Sequence, residues 1–247
     1  MINSIASRGT LYDITGYVMP GFVAEGILWL TAYAFGCSEG AVGFAKTVWK
    51  EGGFLSAIVF VVAAYVLGHM VNSVSSAVIE KRICFKRFKE AADWYSRMKG
   101  KGGSRLMLIE SRAMELFNVN ASELETFDIL ARAAEYLPRA FVSGFSFLSF
   151  YGMCRSLSLL CFLAIPSIFS ISFNGYTCAC EHELVCKILV GLLACVPVLI
   201  AAVAFGNQYL RFVKYYADYL VSTLLCKGEN EPIATEKRRL FHFTIGG

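Results

Sequence analysis

A histidine, an asparagine and three serines interrupt an apolar run in the stretch YVLGHMVNSVSSAVIEKR, Tyr65 to Arg82. Tyr65, His69, Asn72, Ser73, Ser76 and Glu80 recur every three or four residues, a spacing that places them on one side of a helix. Three kinds of chemistry suit such a stripe. Its hydroxyl and amide groups can bond one helix to the next, or they can line a path for water or ions. With His69 as base and Ser73 as nucleophile, they could also attack a carbonyl. Adhesion is the favoured reading, because membrane-buried Ser and Asn find partners on neighbouring helices. Ala64-x-x-x-Gly68 would allow close approach beside the stripe, and Ala202-x-x-x-Gly206 offers a similar small-residue face later in the chain. An ionisable residue in a membrane span needs a partner, and Glu25 with His69 is the first candidate pair. Arg155, at the edge of another apolar run, is expected to snorkel to the interface.

Motifs for catalysis are missing. Ser146 in SGFSF lacks the flanking pattern of a nucleophile elbow, and GKGGS lacks the order of a phosphate-binding loop. No H-E-x-x-H occurs, and nothing near His69 and Ser73 suggests an oxyanion-hole donor. An enzyme is therefore not expected, and neither is a cofactor. CACEHELVC could offer Cys178, Cys180, His182 and Cys186 to a metal, but the spacing departs from that of zinc sites, so no metal is expected.

The elements that must carry these residues are membrane spans. Of 247 residues 56% are hydrophobic and 17% charged, against about 45–50% and about 25% in soluble domains. Mean hydropathy is +0.55. Four windows, roughly 14–35, 54–76, 152–173 and 185–206, reach the ~20 apolar residues a crossing needs. The expected fold is all-α and polytopic, with helical cytoplasmic extensions. Its segments are a first transmembrane hairpin (1–79), a basic helical segment (80–139), a second hairpin (140–206), and an amphipathic helix with a tail (207–247). Pro20-Gly21, Pro166 and Pro197 should disturb the spans, which implies neighbours that satisfy the freed carbonyls. Beyond the spans, KGKGGS (99–104) reads as a break, RLMLIESRAMELF as a short helix, and Ser122 with Glu125 as a capping box.

Nine Lys/Arg fall between Lys81 and Arg105, whereas the connection NGYTCACEHEL has none. That asymmetry predicts both termini and the 80–139 segment in the cytoplasm. Lys81, Arg82, Lys86, Arg87 and Lys89 are candidate contacts for lipid or a partner. Lipid headgroups come first because the run abuts a span end, and nucleic acid is not expected as a partner. Cys37, Cys178, Cys180 and Cys186 then face outside, where two disulfides with three possible connectivities can form.

The pattern Y-D-x-x-G-Y-x-x-P-G (Tyr12, Asp13, Gly16, Tyr17, Pro20, Gly21) followed by G-H-x-x-x-S-x-S (Gly68, His69, Ser73, Ser75) resembles small four-span bacterial membrane proteins. Some of these are encoded in anti-phage defence systems. The resemblance covers the first two spans. It implies a homo-oligomeric effector or sensor in the inner membrane, working with a cytosolic protein partner and surrounded by membrane lipids. The alternative is a small ion channel or transporter with a polar path near Glu25 and His69.

Overall fold

The computed structural model describes residues 13–36, 38–83, 85–93, 95–96, 99, 104–118, 120, 138–177 and 182–226. Helices are the regular elements among them, with no strand. A π-helical turn, Ile14–Val18, leads into α1 (Met19–Ala34). Helix α2 (Ser38–Ser75) runs on into a second π-helical segment, Ser76–Ile83. After these come α3 (Phe85–Ala92), α4 (Ser104–Phe117), α5 (Pro138–Gly175) and α6 (Glu183–Cys226). Four stretches are long and apolar enough to cross a membrane: Ile14–Ala34, Gly52–Ile83, Phe147–Gly175 and Glu183–Tyr219. The architecture is all-α and polytopic. Only helices satisfy a lone span's backbone in hydrocarbon, which is why apolar sequence of this length settles into them.

The prolines act differently from one another. Pro20 has no N–H to return to the Gly16 carbonyl. The turn before it is π-helical, closed by the Met19 N–H on the Ile14 carbonyl, and α1 begins at Met19. Pro166 and Pro197 lie inside α5 and α6, which continue through them. The sharpest break falls in α2, at Gly53, whose φ of 49° and ψ of −123° suit glycine and interrupt the helix at the start of the second span.

By packing, residues 1–92 and 142–216 form one unit and residues 93–141 and 217–247 another. The first unit contains the span bundle. Small and hydroxyl residues fill its interior: Ala24, Ala64, Ser75, Ser149, Ser156, Ala164 and Ala202 are buried. Large side chains such as Phe54, Leu55, Leu193 and Ile200 point outward, where lipid chains meet a membrane protein. Helix α5 is the hub. Its Ser156 hydroxyl lies 3.4 Å from that of Ser75 on α2. Ser158 donates to the Ala202 carbonyl on α6 at 2.9 Å, and Ser167 meets Thr31 on α1 at 2.9 Å. Spans one and two cross at glycines. A Cβ at Gly21 would overlap the Ala64 carbonyl, and one at Gly68 the Tyr17 carbonyl. The Ala64-x-x-x-Gly68 face is therefore a backbone-to-backbone contact.

In the second unit, α4 ends where the Asn118 N–H meets the Met114 carbonyl and Asn118 turns to φ 52°. The short helix expected from RLMLIESRAMELF forms. The 99–104 break, the Ser122–Glu125 capping box and the basic C-terminal tail fall wholly or mostly outside the described residues.

Candidate functional site

The polar centre of the span bundle is built around Arg155. From Arg155 to Gly175, α5 climbs roughly 20 residues, about 30 Å at the helical rise and one hydrocarbon thickness. Arg155 lies eight residues inside the candidate span Phe147–Gly175. Its surroundings differ from the expectation of a snorkelling side chain: Arg155 is only 6% exposed. Partners on the neighbouring span explain this. A guanidinium carries five N–H donors, and each meets an acceptor. Nε donates to Ser75 Oγ at 3.2 Å. One terminal nitrogen bonds Asn72 Oδ1 at 2.7 Å and the Asn72 carbonyl at 3.3 Å. The other forms an ion pair with Glu80 and reaches the Tyr151 hydroxyl at 3.1 Å.

The acceptors are held in turn. Tyr151 donates its hydroxyl to Glu80 at 2.7 Å, and Ser76 donates to the same carboxylate at 3.3 Å. Ser75 donates to the Asn72 carbonyl at 2.9 Å. The Tyr151 ring lies under the guanidinium carbon, 5.1 Å from its centroid. The fully buried Tyr209 of α6 packs on Tyr151, with ring centroids 4.9 Å apart. Three spans therefore close over one charge pair. A buried ion pair repays its desolvation only when further hydrogen bonds support it; here they fill the guanidinium's five donors and converge on Oε2 of Glu80.

Backbone register makes the site. On an α-helix, residues five apart differ by about 500°, which is about 140° around the axis, so Ser75 and Glu80 would diverge. The i→i+5 bonding of a π-helix brings residues five apart onto one face. The π-helical segment starting at Ser76 does this, and Glu80 reaches the guanidinium that Ser75 and Asn72 already hold. Chemically the arrangement is a tie rather than a reactive centre. The donors of Arg155 are occupied, and the carboxylate of Glu80 is engaged.

The expected stripe divides. Asn72 and Ser76 join the arginine centre, whereas Ser73 is exposed beside the buried Ser75. His69 is exposed and stacks on Tyr17 at 3.7 Å, with Tyr65 edge-on to it at 4.6 Å. Glu25 is half-buried and forms no hydrogen bond or ion pair with His69. The basic residues Lys81, Arg82, Lys86, Arg87 and Lys89 are all exposed. Cys37, Cys178 and Cys180 lie outside the described residues. Cys186 sits in the first turn of α6, and there is no disulfide among the described residues. Nor do the described residues hold a His/Cys/Asp/Glu group able to bind a metal.

Reading the sequence missed Ser75, Tyr151 and the Arg155–Glu80 pair. One signal pointed to them: an acid ending the second span and a base opening the third must lie on the same membrane side. Comparison with known proteins found no matching family model, no matching curated protein and no matching solved structure.

Proposed function

We propose that this chain is a non-enzymatic, multi-pass inner-membrane protein, an oligomeric effector or sensor that docks a cytosolic protein partner. One observation carries the reading. Asn72, Ser75, Ser76, Tyr151 and Glu80 are engaged in holding helices together at Arg155, and Glu25 forms no hydrogen bond or ion pair with His69, which stacks on Tyr17 instead. A second feature favours docking: Met107, Leu108 and Met114 stand exposed on α4, a helix outside the four candidate spans. Methionine suits adaptable protein contacts. The lysine- and arginine-rich segment after the second span supports a cytoplasmic position for this helix and for both termini. The likeness of the first two spans to four-span proteins of anti-phage systems makes defence the context to test first.

Reconstituted in liposomes, the protein is expected to pass no ions. In cells, a photo-crosslinking residue at Met107 or Met114 should capture one protein species, and Met107→Asp with Met114→Asp should abolish the adduct without loss of membrane insertion. Ion flux that disappears with Glu25→Ala or His69→Ala would overturn the reading and install a channel instead. A reporter fused near residue 100 that turned up outside the cell would overturn the orientation.

A further inference from the structure

Past the arginine centre, the bundle carries a second charged feature that its adhesion does not use. Lys81 and Arg82 end the second span, and Lys86, Arg87 and Lys89 follow on α3. Helix α3 packs back on the bundle, with Ala91 against the cluster of Cys154, Tyr209 and Val213. Residues flanking that cluster on α6 add Arg211 and Lys214. All seven side chains are exposed, and none forms an ion pair with a described residue. Bases outnumber the acids near them in sequence: Glu80 is committed to Arg155, and Glu90, Asp93 and Asp218 stand against seven Lys and Arg. Two separate helices thus contribute to a basic collar at one end of the bundle.

Helix length fixes the depth of this collar. From Glu183, the first residue of α6, to Arg211 is roughly 28 residues, or about 42 Å. A bilayer with its headgroups is about 40–45 Å thick. The second span gives a similar length from the Gly53 break to Arg82, so both routes bring the basic residues to the headgroup layer of one leaflet. Exposed Lys and Arg at that depth meet phosphates before they meet any soluble partner. We propose that the collar is a binding surface for anionic phospholipid headgroups, gripping the leaflet beside the arginine centre.

The test uses the full chain in detergent, with native mass spectrometry reading retained lipid after exposure to equal amounts of phosphatidylglycerol and phosphatidylcholine. The wild type should retain phosphatidylglycerol preferentially, and added salt should erode the preference. Each neutralised collar residue should lower it by about fivefold. A variant with Lys86, Arg87, Lys89, Arg211 and Lys214 all changed to Gln should lose it. Lys187→Gln, at the far end of α6, should leave it intact. The five-residue variant is expected to melt with the wild type in phosphatidylcholine; if it does not, Arg211→Gln and Lys89→Gln singly carry the test. Equal retention of the two lipids by the wild type overturns the proposal. So does an undiminished preference in the neutralised variants. Capture of a DNA duplex at about 0.15 M salt without any lipid preference overturns it as well.

Discussion

Two ends of one polar stripe on α2 meet different surroundings. At Tyr65 and His69 the partner is the ring of Tyr17, and His69 keeps an exposed edge. A turn later, Asn72 and Ser75 turn inward and share a guanidinium with Glu80. The residue types are much alike, all able to hydrogen-bond. The difference lies across the interface. The first end faces α1, which approaches so closely at Gly21 and Gly68 that backbone fills the gap. The second faces α5, which brings Arg155 and Tyr151. A polar side chain in a span is buried when its neighbour supplies a complementary group, and periodicity on its own helix cannot reveal that neighbour.

The largest way to break the contrast is to remove the charge. Arg155→Ala leaves Glu80 half-buried without its partner and should cost about 3–5 kcal/mol of folding free energy in detergent. Replacing the pair together, Arg155→Met with Glu80→Leu, should recover much of that loss, since apolar substitution of a buried pair is often neutral. At the other end, Gly68→Val forces a side chain into the Tyr17 carbonyl, and overpacking of this kind costs about 1–3 kcal/mol. Cysteine crosslinking between the first two spans should weaken in parallel. His69→Ala removes ring contacts worth about 0.5–1.5 kcal/mol, while His69→Phe should keep most of them. A His69→Ala loss as large as that of Arg155→Ala would erase the distinction between the two ends.

The smallest effect lies outside the spans. The Tyr95 hydroxyl donates to Glu110 at 2.9 Å, and that bond raises its pKa above the ordinary tyrosine value. A raised folded-state pKa favours the protonated hydroxyl. The contribution is therefore fully present below the unfolded tyrosine pKa of about 10 and fades as pH rises through the folded value. Ultraviolet titration of the wild type against Glu110→Gln should show one phenol returning to the ordinary range in the variant.

Much of this fold could be read from hydropathy. The four spans fall where apolar windows of the required length occur, and Ala64-x-x-x-Gly68 marks a real crossing. Helix extents were less legible. Helix α6 runs to Cys226, past the apolar window ending near 206, as the amphipathic helix expected after 207 implied, but it is continuous with the span, an extent no window edge marks. The environment of Arg155 was not legible. Glu80 was legible on the same stripe as Asn72 and Ser76, but its pairing with Arg155, which also brings in Ser75, was not, because the partner lies on another helix and the segment from Ser76 is π-helical. The Glu25 and His69 pairing failed for a related reason. Both lie on the first transmembrane hairpin, yet the close glycine crossing places the Tyr17 ring, not Glu25, against His69.

Deleting Ala77, an exposed residue within the π-helical segment, sharpens the register argument. It leaves Ser75 and the carboxylate now numbered 80 four apart, a spacing that faces them alike on an ordinary α-helix. Folding should survive this deletion far better than Arg155→Ala.

The most direct measurement is a double-mutant cycle on unfolding free energy, with Arg155→Ala, Glu80→Ala and the two combined, in the full chain in detergent. A buried pair that meets in the folded protein predicts that the combined variant loses less than the sum of the single losses, by at least about 2 kcal/mol. Single losses that add to within about 0.5 kcal/mol would mean the two residues do not meet, and would contradict the arginine centre.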